Sequence, residues 1–102
     1  MVLVEFSMYP LGEGQSVSDQ VARSIEIVEK SGLPFQCHAM GTIIEGEYAQ
    51  VMDVVHQCFE VMSAECDRVE CILRLDYRRG RTGGLDAKVR SVEQKLGHEL
   101  RK

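Results

Sequence analysis

The chain lacks the short sequence patterns that mark common catalytic and cofactor sites. Its four cysteines show no CxxC spacing, and no Gly-Lys-Ser/Thr triplet follows a glycine-rich stretch. No nucleophile is paired with a base in a recognisable pattern, and no set of residues has metal-ligand spacing. We therefore expect a protein that is not an enzyme and that needs neither a metal nor a cofactor.

The chain also lacks any apolar run near the roughly 20 residues of a membrane span. Its first residues, Met1-Val2-Leu3-Val4-Glu5-Phe6, lack the basic start and the small-residue cleavage site of a signal peptide. Positive charge is scarce, with 12 basic residues against 16 acidic ones. This balance argues against nucleic acid or an anionic membrane as a partner, and we expect a cytoplasmic protein.

What the chain does have is enough apolar residues for one core. A length of 102 residues and a hydrophobic content of 44% predict a single domain over residues 1–102. A domain this small leaves apolar surface uncovered, so we expect self-association. Four cysteines lie in apolar runs and are predicted to be small buried side chains in a reducing compartment: Cys37, Cys58, Cys66 and Cys71.

Two kinds of hydrophobic periodicity alternate along the chain. Alternation from Val2 to Met8 and from Val69 to Tyr77 predicts strands. Two shorter strands are predicted at Phe35–Ala39 and Thr42–Glu45, with a turn at Gly41 between them. Helical spacing predicts three helices, over residues 17–30, from 47 through 62, and 85–96.

The resulting order, β-α-β-β-α-β-α, contains two strand-helix-strand halves, residues 1–40 and 41–80. Two interleaved right-handed units of this kind form one antiparallel sheet with both helices on one face. We therefore predict an α+β fold, a ferredoxin-like βαββαβ sandwich with an additional C-terminal helix.

The period of two also predicts which side chains face away from the two helices. On the first strand these are Leu3, Glu5, Ser7 and Tyr9, and Glu45 shares a face with Ile43. The last strand adds Ile72, Arg74, Asp76 and Arg78. This mixture is too charged for a core and too apolar for a free surface. It fits either a subunit interface with a polar pocket or a ligand site within one chain.

Five short motifs carry a resemblance that covers nearly the whole chain. They are Tyr9-Pro10-Leu11-Gly12, Met40-Gly41-Thr42 with Glu45-Gly46, Asp67-Arg68-Val69, Asp76-Tyr77-Arg78-Arg79 and Lys88-Val89-Arg90-Ser91-Val92-Glu93. In this order they resemble the small thiamine-binding protein family. The resemblance implies a ferredoxin-like domain, sheet packing into homodimers or homotetramers, and binding of thiamine or its hydroxymethylpyrimidine half. It implies no catalysis.

The chemistry that thiamine requires is present in the chain. A carboxylate, Glu45 or Glu5, can face the thiazolium cation or accept from the exocyclic amine. The hydroxyls of Ser7 and Thr42 can bond ring nitrogens beside the backbone of Gly41. Rings and thioethers can cover a heterocycle. The expected ligand-binding residues are Glu45, Thr42, Gly41, Met40, Ser7, Tyr9 and Glu5.

Other interpretations of these residues remain open. Glu45 can be partnered by a protein group instead of a ligand, because a carboxylate in a sheet needs a partner of some kind. The polar sheet face can serve a regulatory or assembly module whose ligand is unknown. The basic loop from Arg78 to Gly84 can hold an anion or lie in solvent.

Overall fold

The computed structural model describes residues 1–12, 17–80 and 83–101, and at positions 17 and 18 only the backbone. It contains four strands and three helices in these residues. They are β1 Val2–Pro10, α1 Val17–Lys30, β2 Phe35–His38, β3 Gly41–Gly46, α2 Tyr48–Glu65, β4 Val69–Tyr77 and α3 Gly84–Leu96. The predicted order of elements is confirmed, with ends that differ by up to three residues.

The four strands form one antiparallel sheet in the order β2-β3-β1-β4. Val2, Val4, Phe6 and Met8 of β1 are buried, and they pack with the buried side of α2 into the core. Val28 of α1 is buried in the same core as these residues, so α1 and α2 cover the same face of the sheet. This arrangement confirms the ferredoxin-like α+β fold.

The register of the sheet confirms which residues share its other face. Leu3 lies opposite Glu45 and Asp76, and Glu5 lies opposite Ile43 and Arg74. Directly opposed residues of antiparallel strands point to the same face. The face turned away from α1 and α2 therefore carries carboxylates, a guanidinium and aliphatic side chains together.

The third helix lies across part of this polar face. The Gly84 backbone N–H donates to the Glu45 carboxylate, and the Lys88 ammonium pairs with Asp76. Gly83 precedes the helix with a φ of 66°, and Gly97 ends it with a φ of 82°. The C-terminal helix thus encloses space against the sheet, opposite the core.

The expectation that all four cysteines are buried is wrong for two of them. Cys58 and Cys66 are buried, but Cys37 and Cys71 are exposed, because β2 and β4 are the two edge strands and the helices do not cover the edges. Phe59, which follows Cys58 on α2, also has 48% of its surface exposed. Burial raises the pKa of the Cys58 thiol.

Candidate functional site

A cavity of about 350 Å³ lies between the polar face of the sheet and α3. This volume is within the range of small-molecule sites. We call it the sheet-helix cavity. Its lining comes from all four strands and from the first two turns of α3: Leu3, Glu5, Gln36, Ile43, Arg74, Leu75, Asp76, Gly84, Leu85, Lys88 and Val89.

The cavity has two apolar walls that face each other. Leu3 and Ile43 lie on the sheet side, and Leu85 and Val89 lie on the helix side. The helical pair is four residues apart, so both side chains project from the same side of α3. Such a slot suits a flat ring, because both of its faces would contact aliphatic groups.

A histidine orients the carboxylate that lies at the edge of this slot. The His38 Nε2 atom is 3.3 Å from Glu5 Oε2, and the Met40 backbone N–H donates to His38 Nδ1 over 3.2 Å. A ring nitrogen that accepts a hydrogen bond carries no proton. His38 thus accepts the Met40 N–H through Nδ1 and presents Nε2 to the Glu5 carboxylate.

The remaining charges of the cavity are close to balanced. Lys88 Nζ is 2.9 Å from Asp76 Oδ2, and Arg74 lies opposite Glu5 in the register of β1 and β4. Glu45, at the N-terminus of α3, is the third carboxylate in or beside the cavity, after Glu5 and Asp76. The two cationic side chains are Arg74 and Lys88. The cavity thus offers both an acceptor for a cation and donors for ring nitrogens, and Gln36 adds an amide that does both.

Glu45 is the buried charge of the site, with 5% of its surface exposed. Its Oε2 accepts a 2.5 Å hydrogen bond from the backbone N–H of Gly84, the first residue of α3. The first N–H groups of a helix have no partner within the helix, and the helix dipole favours an anion there. Glu45 therefore holds the helix that forms one wall of the cavity.

A second cavity, of about 360 Å³, lies at the opposite end of β1, beside the β2–β3 turn. We call it the hairpin cavity. Five of the seven predicted ligand-binding residues line it: Ser7, Tyr9, Met40, Gly41 and Thr42. Helix α1 contributes Val21, Ser24 and Ile25. The other two predicted residues belong to the first cavity: Glu5 lines the sheet-helix cavity, and Glu45 bonds the Gly84 N–H at its helix wall. The predicted ligand-binding residues are thus divided between the two cavities.

Comparison with known proteins shows the family of the chain. Residues 4–93 match the family model described as thiamine-binding protein. A UPF0045 protein of Mycobacterium bovis is 44% identical over 96 residues, which cover 93% of this chain and 94% of the relative. The chain belongs to the thiamine-binding protein family.

Solved structures share the fold. A hypothetical protein of Methanocaldococcus jannaschii superposes with a TM-score of 0.82 at 30% identity, covering 91% of this chain and 96% of the other. A protein of Thermotoga maritima described as a candidate for thiamine biosynthesis or salvage superposes with a TM-score of 0.79 at 24% identity, covering 89% and 97%. This second likeness shows the fold alone.

Within this family fold, Thr42 and Glu45 cannot serve one pocket on the sheet face. They are three residues apart on β3, so their side chains point to opposite faces. Thr42 is buried under the helices, whereas Glu45 shares its face with Leu3. The sequence-based prediction placed both residues at one ligand, whereas the alternation of side chains along β3 points them to opposite faces of the sheet.

Sequence reasoning missed most of the polar lining of the sheet-helix cavity. Arg74 and Asp76 were placed on the correct face without a ligand role, and Lys88 was quoted only as part of a motif. The alternation of side chains along β4 could have identified Arg74 and Asp76 as candidate ligand-binding residues. Nothing local in the sequence indicates that α3 covers them. In the basic loop, Arg81 and Thr82 lie outside the described residues.

The described residues contain no group of three or more His, Cys, Asp or Glu side chains arranged to hold a metal ion. In the same part of the chain, no helix has the length and hydropathy that crossing a bilayer requires.

Proposed function

We propose that the chain binds thiamine or its hydroxymethylpyrimidine half in the sheet-helix cavity, without catalysis, as a cytoplasmic carrier, buffer or salvage component. The observation that carries the proposal is the placement of Glu5 at the edge of an aliphatic slot formed by Leu3, Ile43, Leu85 and Val89. A slot takes a flat ring, and a carboxylate takes a cation or an exocyclic amine. Membership of the thiamine-binding family supports the ligand class.

The slot matches the parts of the ligand in a specific way. The aminopyrimidine presents donors and acceptors along one edge, and Gln36 and the Glu5 carboxylate supply complementary groups. The thiazolium carries a permanent positive charge, for which Glu5 and Glu45 provide the nearby negative charge. Only thiamine, and not hydroxymethylpyrimidine, should therefore depend strongly on these charges.

Replacing Glu5 with glutamine tests this assignment. The new amide can still hydrogen-bond to His38 Nε2, so the local geometry is kept while the charge is lost. We expect thiamine affinity to fall about tenfold or more, which corresponds to about 1.4 kcal/mol, because the thiazolium cation loses the carboxylate that faces its charge. Hydroxymethylpyrimidine, being neutral, should lose less. Isothermal titration calorimetry with both ligands measures the two changes.

A matched control is available on the other side of the molecule. Glu60 on α2 is paired with Nε2 of His56, as Glu5 is with His38, but it is absent from the lining of the sheet-helix cavity. A Glu60→Gln variant should bind both ligands as the unmodified chain does. If neither ligand gives heat with the intact unmodified protein, the thiamine proposal is wrong.

The alternative function is a regulatory or assembly module, in which the polar face is mainly an interface. One observation favours it: β4 is an edge strand, and its Ile72 and Tyr77 expose 61% and 56% of their surfaces. Unpaired strand edges with apolar side chains tend to pair with another chain. We therefore propose that the chain forms homodimers or homotetramers, whichever function is correct.

One preparation separates the two functions. Protein purified from cells is examined by analytical ultracentrifugation, then denatured, and its supernatant is analysed by mass spectrometry. We expect an oligomer and a near-stoichiometric amount of a thiamine-related mass. An empty oligomer that also fails to bind added thiamine would instead support the assembly module, and a monomer would contradict the proposed homo-oligomer.

A further inference from the structure

Arg74 lines the sheet-helix cavity without an anionic partner. It lies directly opposite Glu5 in the register of β1 and β4, where opposite charges normally attract. The Glu5 carboxylate instead contacts His38, with 3.3 Å between Oε2 and Nε2. Among the described residues, the Arg74 guanidinium makes no hydrogen bond and no ion pair. A guanidinium in the wall of a cavity is thus left for a group that comes from outside the chain.

The contact between Glu5 and His38 also separates the charges of the cavity. His38 is on β2, which is separated from β1 by β3, so the Glu5 side chain reaches toward β3. Glu45 on β3 adds negative charge on that side. Arg74 is on β4, the neighbour of β1 on its other side. Adjacent strands lie about 4.8 Å apart, so roughly 10 Å separate β3 from β4. The cavity therefore has a negative end over β3 and a positive end at β4.

Lys88 strengthens the positive end. Its Nζ is 2.9 Å from Oδ2 of Asp76, which follows Arg74 by two residues and shares its face of β4. An ammonium group carries three N–H donors, and the contact with Asp76 uses one of them. The side chain of Lys88 is 68% exposed, and Arg74 is exposed as well, so a ligand group at the cavity opening can reach both. Two cationic groups against one carboxylate leave this end with an excess of positive charge.

A ligand that matches both ends carries a positive and a negative group. Thiamine supplies the positive thiazolium, but the side arm of that ring ends in a neutral hydroxyl. Phosphorylation of the hydroxyl places a strong anion on a flexible two-carbon arm. Phosphate oxygens suit the planar fork of a guanidinium, which binds them through two parallel hydrogen bonds. A phosphate at β4 would thus give Arg74 the acceptor that Glu5 does not provide.

We propose that the sheet-helix cavity prefers the phosphate ester of thiamine to thiamine itself, with the phosphate bound by Arg74 and Lys88 and the thiazolium facing Glu5. The inference rests on the function proposed above and adds to it an anion subsite at β4. Free thiamine leaves Arg74 without a counterion and places a second cation near it, which weakens binding. Arg74 therefore distinguishes the phosphorylated from the free form of the ligand.

Calorimetric titration of the unmodified chain with thiamine monophosphate, thiamine and inorganic phosphate tests this preference. We expect the monophosphate to bind about tenfold more tightly than thiamine, and inorganic phosphate to bind far more weakly than either. If thiamine binds as tightly as its monophosphate, the subsite is absent although the proposed function stands. If neither binds, both proposals fail. Inorganic phosphate that binds as tightly as the monophosphate would also overturn the inference, because the thiazolium would then contribute nothing.

Arg74→Gln removes the charge and the fork but keeps a polar side chain. The affinity for thiamine monophosphate should fall about tenfold, as expected for the loss of charge-assisted hydrogen bonds. Thiamine affinity should rise, because a cation near the thiazolium is gone. Changes in opposite directions cannot come from a misfolded variant. A parallel fall for both ligands would contradict the role of Arg74.

Arg78 provides the matched control. It lies just past the end of β4, makes no hydrogen bond or ion pair among the described residues, and is absent from the lining of the cavity. Arg78→Gln removes the same charge and should leave the ratio of the two affinities unchanged. If it lowers the affinity for the monophosphate as much as Arg74→Gln does, the preference is a general attraction to positive charge and not a subsite.

The Nε–H resonance of Arg74 gives a direct measurement of contact. In two-dimensional ¹⁵N–¹H NMR, thiamine monophosphate should shift this resonance in a saturable way, and thiamine should shift it much less. The Nε–H resonance of Arg78 should stay in place with both ligands. If saturating monophosphate leaves the Arg74 resonance unmoved, the phosphate does not bind there and the inference is wrong.

Discussion

Replacing Gly41 with alanine is expected to lower the free energy of unfolding by about 3 kcal/mol. Gly41 begins β3 with a φ of +154°, which side chains of L residues rarely adopt, and strain of this kind costs about 1–3 kcal/mol. An added Cβ would also lie 2.8 Å from the Phe6 carbonyl oxygen. Overpacking adds about 1–3 kcal/mol. Urea denaturation followed by circular dichroism measures the change.

The clash cannot be relieved cheaply, because the opposing atom belongs to backbone. Phe6 is in β1, the strand that is paired on both sides, with β3 and with β4. Moving its carbonyl would disturb both ladders and the core behind them. The β2–β3 turn would have to move instead, and the hairpin cavity that Gly41 and Thr42 line would change shape.

Gly32 provides the control for this prediction. It also has a positive φ, of +76°, but nothing lies within 4 Å of the position that its Cβ would take. Gly32→Ala should therefore show backbone strain alone, about 1–2 kcal/mol. If Gly41→Ala proves no more destabilising than Gly32→Ala, the β2–β3 hairpin must shift enough to remove the contact between the new Cβ and the Phe6 carbonyl oxygen, and that contact does not lower stability.

The fold and the facing of its strands were predictable because they depend on local periodicity. Alternation in β1 separates Val2 and Val4 from Leu3 and Glu5 regardless of what surrounds the strand. The edges of the sheet were less predictable. Cys37 and Cys71 follow the apolar alternation, yet they are exposed because coverage depends on where helices end relative to edge strands.

The candidate site was predictable only in part, because its walls are brought together over long sequence distances. Glu45 was correctly identified as a carboxylate that needs a partner, but its partner is a backbone N–H 39 residues away. A backbone donor leaves no signature in a sequence. The partner of the Glu45 carboxylate could be a ligand, another subunit or a group of the same chain. Only the position of α3 identifies it as a group of the same chain.

Glu45→Ala is the second variant with a large expected effect, and it concerns the wall of the proposed thiamine site. It leaves the Gly84 N–H without its acceptor, which costs about 1–3 kcal/mol. Since α3 contributes Leu85 and Val89 to the cavity, its release should lower the affinity for both thiamine and hydroxymethylpyrimidine, and for thiamine more, because the negative charge of Glu45 is lost as well. Hydrogen exchange of the amides in α3, compared with those of α2, measures the release directly.

Glu45→Gln distinguishes the hydrogen bond from the charge. Its amide oxygen can still accept from Gly84, so only the favourable interaction of a carboxylate with the helix N-terminus is lost, about 0.3–1 kcal/mol. Exchange in α3 should therefore rise in the order unmodified chain, Glu45→Gln, Glu45→Ala. A different pattern would reassign the residue. If Glu45→Ala abolished thiamine binding while α3 exchanged as before, Glu45 would contact the ligand itself and would not act through the helix.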